Sequence, residues 1–174
     1  MDTIYDKISE LEINVENKQE SVQFELENLK DQVSSLQDIL FRIEKKILMP
    51  YFDPIGTRYF YVNNDFKANW NKAQKCCRKI GGYLATFQNA EEYYAIQSKI
   101  LYRTEFYWLG IRDFENRDHF VSVTTGKPAP YLKWGLHQPG DEGNSDCVET
   151  YDAKMHDRDC EDRGYFICQA DSEI

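Results

Sequence analysis

Through the first 48 residues apolar side chains return every three or four positions, and beyond them that rhythm breaks up. With Tyr5 set at position a of a heptad, the a positions are Tyr5, Glu12, Gln19, Leu26, Val33, Leu40 and Ile47, and the d positions are Ile8, Val15, Val22, Leu29, Leu36 and Ile43. Every d position is apolar, and from Val22 to Ile47 no a or d position fails, which is the pattern of a coiled coil of about six heptads. Ile4, Leu11 and Ile39 at g widen the stripe, so a single amphipathic helix lying on the rest of the chain is the alternative. Leu26 and Leu40 at a, with Val22 and Ile43 among the d residues, favour three strands over two. Glu12 and Gln19 at a weaken the first heptads.

Beyond Pro54 the pattern changes to short aromatic and β-branched runs. Residues 55–62 (Ile-Gly-Thr-Arg-Tyr-Phe-Tyr-Val) read as a strand. Residues 69–80 read as a helix with Trp70, Ala73 and Cys77 on one side and Gly81 as its stop. A second helix is expected to start at Asn89, with Glu92 three residues on as in a capping box, and to run to about Tyr102. Strands are then expected over 107–112, 119–124, 131–134, 146–150, 154–160 and 164–170. Two early helices followed by many strands predict an α+β fold built on an antiparallel sheet.

Composition divides the chain at the same place. The first 48 residues hold no Cys, Trp, Gly or Pro, whereas all five Cys, three Trp, nine Gly and five Pro follow Met49. The boundary is set at Met49-Pro50, because proline cannot continue a helix and disfavours helical backbone in the residue before it. A coiled-coil oligomerisation helix over 1–48 and a globular domain over 51–171 are therefore expected, and an unpartnered helix of this length would leave its seam in water, so self-association follows.

The formal net charge is −9, with 11 acids against 6 bases in residues 1–48 and 9 against 2 in residues 138–162. A balance this acidic gives no general attraction for nucleic acid or anionic membrane. No apolar run approaches the roughly 20 residues of a membrane span. The opening Met1-Asp2-Thr3-Ile4 has neither a basic nor an apolar leader region, so a disulfide frame here reads as a mature, secreted chain carrying an added Met.

Cys77, Cys147, Cys160 and Cys168 form that frame, and sequence alone allows three pairings of four cysteines. Nesting Cys147–Cys160 inside Cys77–Cys168 would tie the domain's ends together and clip one loop. Cys76 is left over, as a half-buried thiol or an interchain link.

Several motifs now agree in order and spacing. Trp70-x2-Ala73-x3-Cys77-x3-Gly81-Gly82-Tyr83-Leu84 is followed by Trp108-Leu109-Gly110-Ile111 and by Trp134-Gly135-x2-Gln138-Pro139. Asp146-Cys147-Val148, Asp157-x2-Cys160 and Tyr165-Phe166-Ile167-Cys168 complete the series. Together they resemble the C-type lectin-like fold over residues 51–171, and the wording before the first helix and at the Cys-Gln-Ala end is most similar to the small secreted lectins of insects. Trp108 and Trp134 read as core residues, and Gly110 as a point of close backbone packing.

The resemblance implies a Ca2+ ion that holds two sugar hydroxyls, with ligands from a Glu-Pro-Asn or Gln-Pro-Asp triplet, an acid before the next cysteine, and an Asn-Asp pair. Gln138 stands at the first position, and Pro139 in the family has a cis bond. Gly140 stands where Asn or Asp belongs and offers no side chain. Ser145 stands in place of the usual Glu, with Glu142 or Asp146 in reach instead. His156 replaces Asn, Asp157 is retained, and Met155 replaces Trp. Gln138, Asp157, Glu142 and Asp146 are thus the candidate metal and carbohydrate residues, and loss of oxygen ligands predicts weakened Ca2+ binding. Gln-Pro leans toward galactose-type over mannose-type sugars.

The implied function is an oligomeric lectin for glycans or glycoproteins, the alternative being a calcium-independent protein-binding module. Catalysis has no support: His119, His137 and His156 sit in no triad spacing, HExxH or phosphate loop, and Asp157 with Asp159 is an ordinary coincidence in an acidic loop.

Overall fold

A computed structural model describes residues 2–48, 50–114, 119–140 and 146–170. The chain divides into two compact units, Met1–Leu48 and Met49–Ile174. The first is one continuous helix, α1 (Asp2–Leu48). Its seam residues lie open, with Leu29 58% and Leu36 64% exposed. No helix among the described residues is long and apolar enough to cross a membrane.

The second unit has β1 (Asp53–Ile55), β2 (Arg58–Ala68), α2 (Trp70–Lys79), β3 (Gly82–Leu84), α3 (Ala90–Gln97), β4 (Tyr107–Asp113), β5 (Phe120–Ser122), β6 (Cys147–Tyr151), β7 (Lys154–Arg158) and β8 (Gly164–Ala170). The strands run β1-β2-β8-β4-β6-β7, with β3 on β8 and β5 on β4. All pairings are antiparallel except β4 with β8. The α+β expectation holds.

Both helices start where a side chain can take their free amides. Asn69 Oδ1 accepts from Lys72 N at 3.0 Å and Asn89 Oδ1 from Glu92 N at 2.9 Å. Glu92 reaches back one residue further than a capping box would, accepting from Gln88 N and from Arg58 Nη1, each at 2.8 Å. Two tryptophans tie the start of α2 and the end of β2 to β4: Trp70 Nε1 donates to Leu109 O at 2.8 Å and Trp108 Nε1 to Ala68 O at 3.0 Å, so neither buried indole N–H is left unpaired.

The nested disulfides form, Cys77–Cys168 and Cys147–Cys160. Cys76 is unpaired and half-buried. Closing the 13-residue loop is worth about 3 kcal/mol on the chain-entropy model.

Four expectations need correction. The second helix stops at Gln97, not near Tyr102: Leu101 N donates to Asn64 Oδ1 and Tyr102 N to Tyr107 OH, so tertiary partners take the amides that a further helical turn would have used. Residues 131–134 form no strand; only Trp134 makes a bridge, to Met155, and Trp134 is half-buried, its ring 4.7 Å from Phe120. The turn after α2 is itself a strand, β3, because Gly82 lets the backbone approach β8, where a Cβ would meet Gln169 O and Phe52. The first long strand, β2, runs to Ala68 past an irregularity after Asn63, six residues further than expected.

Candidate functional site

The long segment after Trp134 is fastened to the start of β7. Met155 N donates to Lys133 O at 2.7 Å and Gly135 N to Met155 O at 2.8 Å. Gly135 is needed there: a Cβ would lie 2.5 Å from His156 Nε2. His137 then takes a φ of 59°, and the Gln138-Pro139 bond is cis.

Two hydrogen bonds strap the turn to β7. Asp157 N donates to Gln138 Oε1 at 3.0 Å, and Gly140 N donates to Asp157 Oδ1 at 2.8 Å. Gln138 and Asp157, far apart in sequence, are thereby neighbours. Asp146 is half-buried ahead of β6, its carbonyl accepting from Asp113 N at 2.9 Å, and it does not line the cavity beside Gln138 and Asp157. Glu142 and Ser145 lie outside the described residues.

That cavity, about 340 Å³, is also lined by Glu149, His156 and Arg158. The β6–β7 register sets Glu149 opposite His156, and Glu149 Oε1 is 3.1 Å from His156 Nδ1 and 3.8 Å from Arg158 Nη2. Glu149 is 1% exposed, and among the described residues no donor stands in hydrogen-bonding geometry to either of its oxygens. Burial accordingly pushes its carboxyl from the ordinary 4.5 up to about 8, with the Arg158 charge offsetting part of the rise. Burial and Arg158 together hold the His156 imidazole below its ordinary value, Asp157 acting in the opposite sense.

Glu149 and Arg158 did not stand out in the sequence. The signal was there: alternation along 147–151 and 154–158 places Cys147, Glu149 and Tyr151 on one face, across from His156 and Arg158. Asp152-Ala153 is a weak hairpin turn compared with Asn-Gly, and it concealed the pairing.

A stability profile follows. A carboxyl whose folded pKa is raised contributes stability that is whole below its unfolded value and is lost as pH climbs through the folded one. His156, depressed, works oppositely, and with its ordinary value at 6.5 most of its contribution falls below pH 7. Between pH 7 and 8 the chain should therefore lose about 1 kcal/mol of unfolding free energy through Glu149. Urea titrations at the two pH values measure it, and Glu149→Gln should flatten the difference. An equal loss in that variant would assign the effect to another group.

The donors at hand do not match a calcium shell of 6–8 oxygens. Gln138 and Asp157 already bond each other's neighbourhood, Gly140 has no side chain, and His156 turns Nδ1 to Glu149. Among the described residues no group of three or more His, Cys, Asp or Glu side chains could hold a metal ion. What remains on this face is a carboxamide Nε2 and a carboxylate Oδ2, a donor beside an acceptor.

Comparison with known proteins now adds to the geometry. The Lectin C-type domain family profile matches residues 66–170. C-type lectin 37Db of Drosophila melanogaster is 36% identical over 120 residues, covering 66% of this chain and 79% of that protein. Accessory gland protein Acp29AB of the same species is 32% identical over 131 residues, 75% of this chain but only 55% of the relative, so the match spans about half of that protein. The mouse scavenger receptor C-type lectin carbohydrate-recognition domain superposes with a TM-score of 0.64 at 23% identity over 70% of this chain and 96% of that one. A calcium-independent type II antifreeze protein superposes at 0.61 with 24% identity, over 68% and 90%. At such identities these two structures establish the shared fold.

Proposed function

The chain belongs to the C-type lectin domain family, and from that premise we propose that it is a secreted, self-associating lectin that binds glycans or glycoproteins, of galactose type, through the face formed by Gln138 and Asp157. It binds and does not catalyse. The observation that carries the reading is the strap between the Gln138-Pro139 turn and β7, which leaves Gln138 Nε2 and Asp157 Oδ2 each within 4 Å of the Cβ position at Gly140. A sugar hydroxyl both donates and accepts, so a vicinal pair can meet a carboxamide N–H and a carboxylate at once. The seam of α1 gathers several such weak faces, as trimers in preference to dimers, and converts them into useful avidity.

Calcium has a weakened place in this reading. Gln138 and Asp157, with Glu142 or Asp146 from the loop, hold Ca2+ poorly because positions 140 and 156 supply no oxygen. The space at Gly140 is open: a Cβ would lie 3.6 Å from Asp157 Oδ1 and 3.8 Å from Gln138 Nε2. Gly140→Asp combined with His156→Asn should therefore raise Ca2+ affinity at least tenfold over the parent in titration calorimetry. Equal affinities would place the ligands elsewhere.

A second reading, a protein-binding module using the same face, is favoured by one observation: Leu136, beside the turn, is 86% exposed. Retention on galactose and mannose resins, with and without EDTA, separates the two. A lectin is retained on one resin and released by free sugar, and Asp157→Asn, which keeps the Gly140 hydrogen bond but not the charge, weakens retention. A chain that passes through both resins with calcium present is not the lectin described.

A further inference from the structure

A second cavity, about 270 Å³, lies at the other end of the β6–β7 hairpin. The two cavities share no lining residue: Thr150 of β6 faces this one, whereas its neighbours Glu149 and Tyr151, on the opposite face of the strand, line the other. Tyr94 and Gln97 of α3 form one wall, Arg103 and Glu105 of the following segment a second, and Asp152 and Ala153 of the turn the third.

The turn is held against local preference. Asp152 and Ala153 have φ of 47° and 53°, the left-handed region, where a hairpin of this type favours Asn-Gly. Alanine has no side-chain bond to offset a cost of about 1 kcal/mol, and left-handed non-glycine residues concentrate at ligand sites.

The polar groups are sorted. Glu105 Oε2 is engaged by Lys67 Nζ at 2.6 Å. Gln97 Nε2 donates to Thr150 Oγ1 at 3.2 Å, and that hydroxyl lies 2.7 Å from the buried Tyr93 OH, which anchors the carboxamide from below and leaves Gln97 Oε1 as an acceptor. Arg103 and Asp152 are exposed, and among the described residues neither has a partner. Tyr94 is half exposed and bonds Lys133 Nζ through its hydroxyl, which fixes the ring at the cavity's edge.

These groups select a chemistry. Arg103 opposes a cation, and Asp152 with Glu105 opposes a simple anion. A neutral polyhydroxylated ring suits both, since one hydroxyl can accept from a guanidinium while its neighbour donates to a carboxylate. An aromatic side chain covers the ring's C–H face. The volume, near the lower end of small-molecule sites at about 300 Å³, fits one sugar unit. We propose that this cleft is a second, metal-independent sugar site, in which Arg103 and Asp152 bracket a pair of hydroxyls and Tyr94 takes the apolar face.

The assignment rests on the reading of the chain as a glycan binder, and the test separates the two. The full chain, isotopically labelled, is titrated in EDTA with methyl β-galactoside and with methyl α-mannoside, and amide shifts are followed residue by residue. One glycoside should move the amides of Gln97, Arg103 and Asp152. Arg103→Gln and Asp152→Asn, the latter retaining a residue at ease in the left-handed region, should each weaken that binding at least tenfold. Shifts confined to Gln138 and Asp157 would overturn the cleft and leave the lectin reading standing. Cleft shifts that neither variant weakens would overturn the bracketing roles. No shift with either glycoside overturns the cleft, and resin retention in calcium then decides the lectin reading by itself.

Discussion

Gly110→Ala is expected to lower the melting temperature by 10 °C or more, and it is the single-methyl change from which we expect the largest loss of stability. A Cβ at this position would fall within the van der Waals envelope of the Leu84 carbonyl oxygen and carbon. The neighbour is backbone, so no rotamer change relieves the clash. Nor can the backbone withdraw cheaply: Gly110 N donates to Ala85 O at 2.7 Å, and Gly110 O accepts from Val123 N and from Thr86 Oγ1, each at 2.9 Å. Separating β4 from the segment after β3 gives up the two bonds to Ala85 and Thr86 together, about 3 kcal/mol against a typical total of 5–15 kcal/mol. Gly56→Ala is the comparison, since Gly56 has a φ of 60° but nothing within 4 Å of its Cβ position, and it should cost only about 1 kcal/mol. Calorimetric melting of both variants checks the difference. A shift for Gly110→Ala no larger than that for Gly56→Ala would mean the close approach is not real.

The second large effect is on assembly. Leu29→Glu with Leu36→Glu should turn an oligomer into a monomer in sedimentation velocity, because each helix would bury two unpaired carboxylates in its seam. The globular unit should keep its near-ultraviolet dichroism, as its core clusters are built from residues of that unit. Apparent affinity for a glycan-coated surface should fall by 10²-fold or more while affinity for a free monosaccharide stays level, since multivalency alone is lost. An oligomer that survives the double change would place self-association elsewhere than on this seam.

Features set by local chemistry were legible before the structure. The heptads predicted α1, Asn69 and Asn89 predicted two helix starts, and the Trp108-to-Gly110 signature predicted both a buried indole and a tight backbone contact. What escaped prediction was set by long-range partners. Nothing near Leu101 says that Asn64 will take its amide, and the apolar pattern continued past the point where α3 ends. Residues 82–84 become a strand only by pairing with β8, which passes too close to Gly82 for any side chain there. At the candidate site, Gln138 and Asp157 could be placed because the resemblance supplied their positions. Glu149 was missed, because the alternation that sets it opposite His156 becomes readable only once the weak Asp152-Ala153 turn is accepted as a hairpin.

The last strand of the sheet in chain order lies at its middle. β8 is flanked by β2 and β4 and also carries β3, and its Cys168 is the partner of Cys77, 91 residues earlier. Until residues 164–170 emerge, β3 has no strand neighbour, nothing joins the β1–β2 pair to β4 and the strands beyond it, and Cys77 stands beside Cys76 without its mate. The globular unit therefore completes its sheet through contacts that close long loops and form slowly. The α1 helix needs only local contacts and forms in microseconds. Helix formation in α1 thus runs ahead of the sheet, whose closure through β8 and whose Cys77–Cys168 link come last.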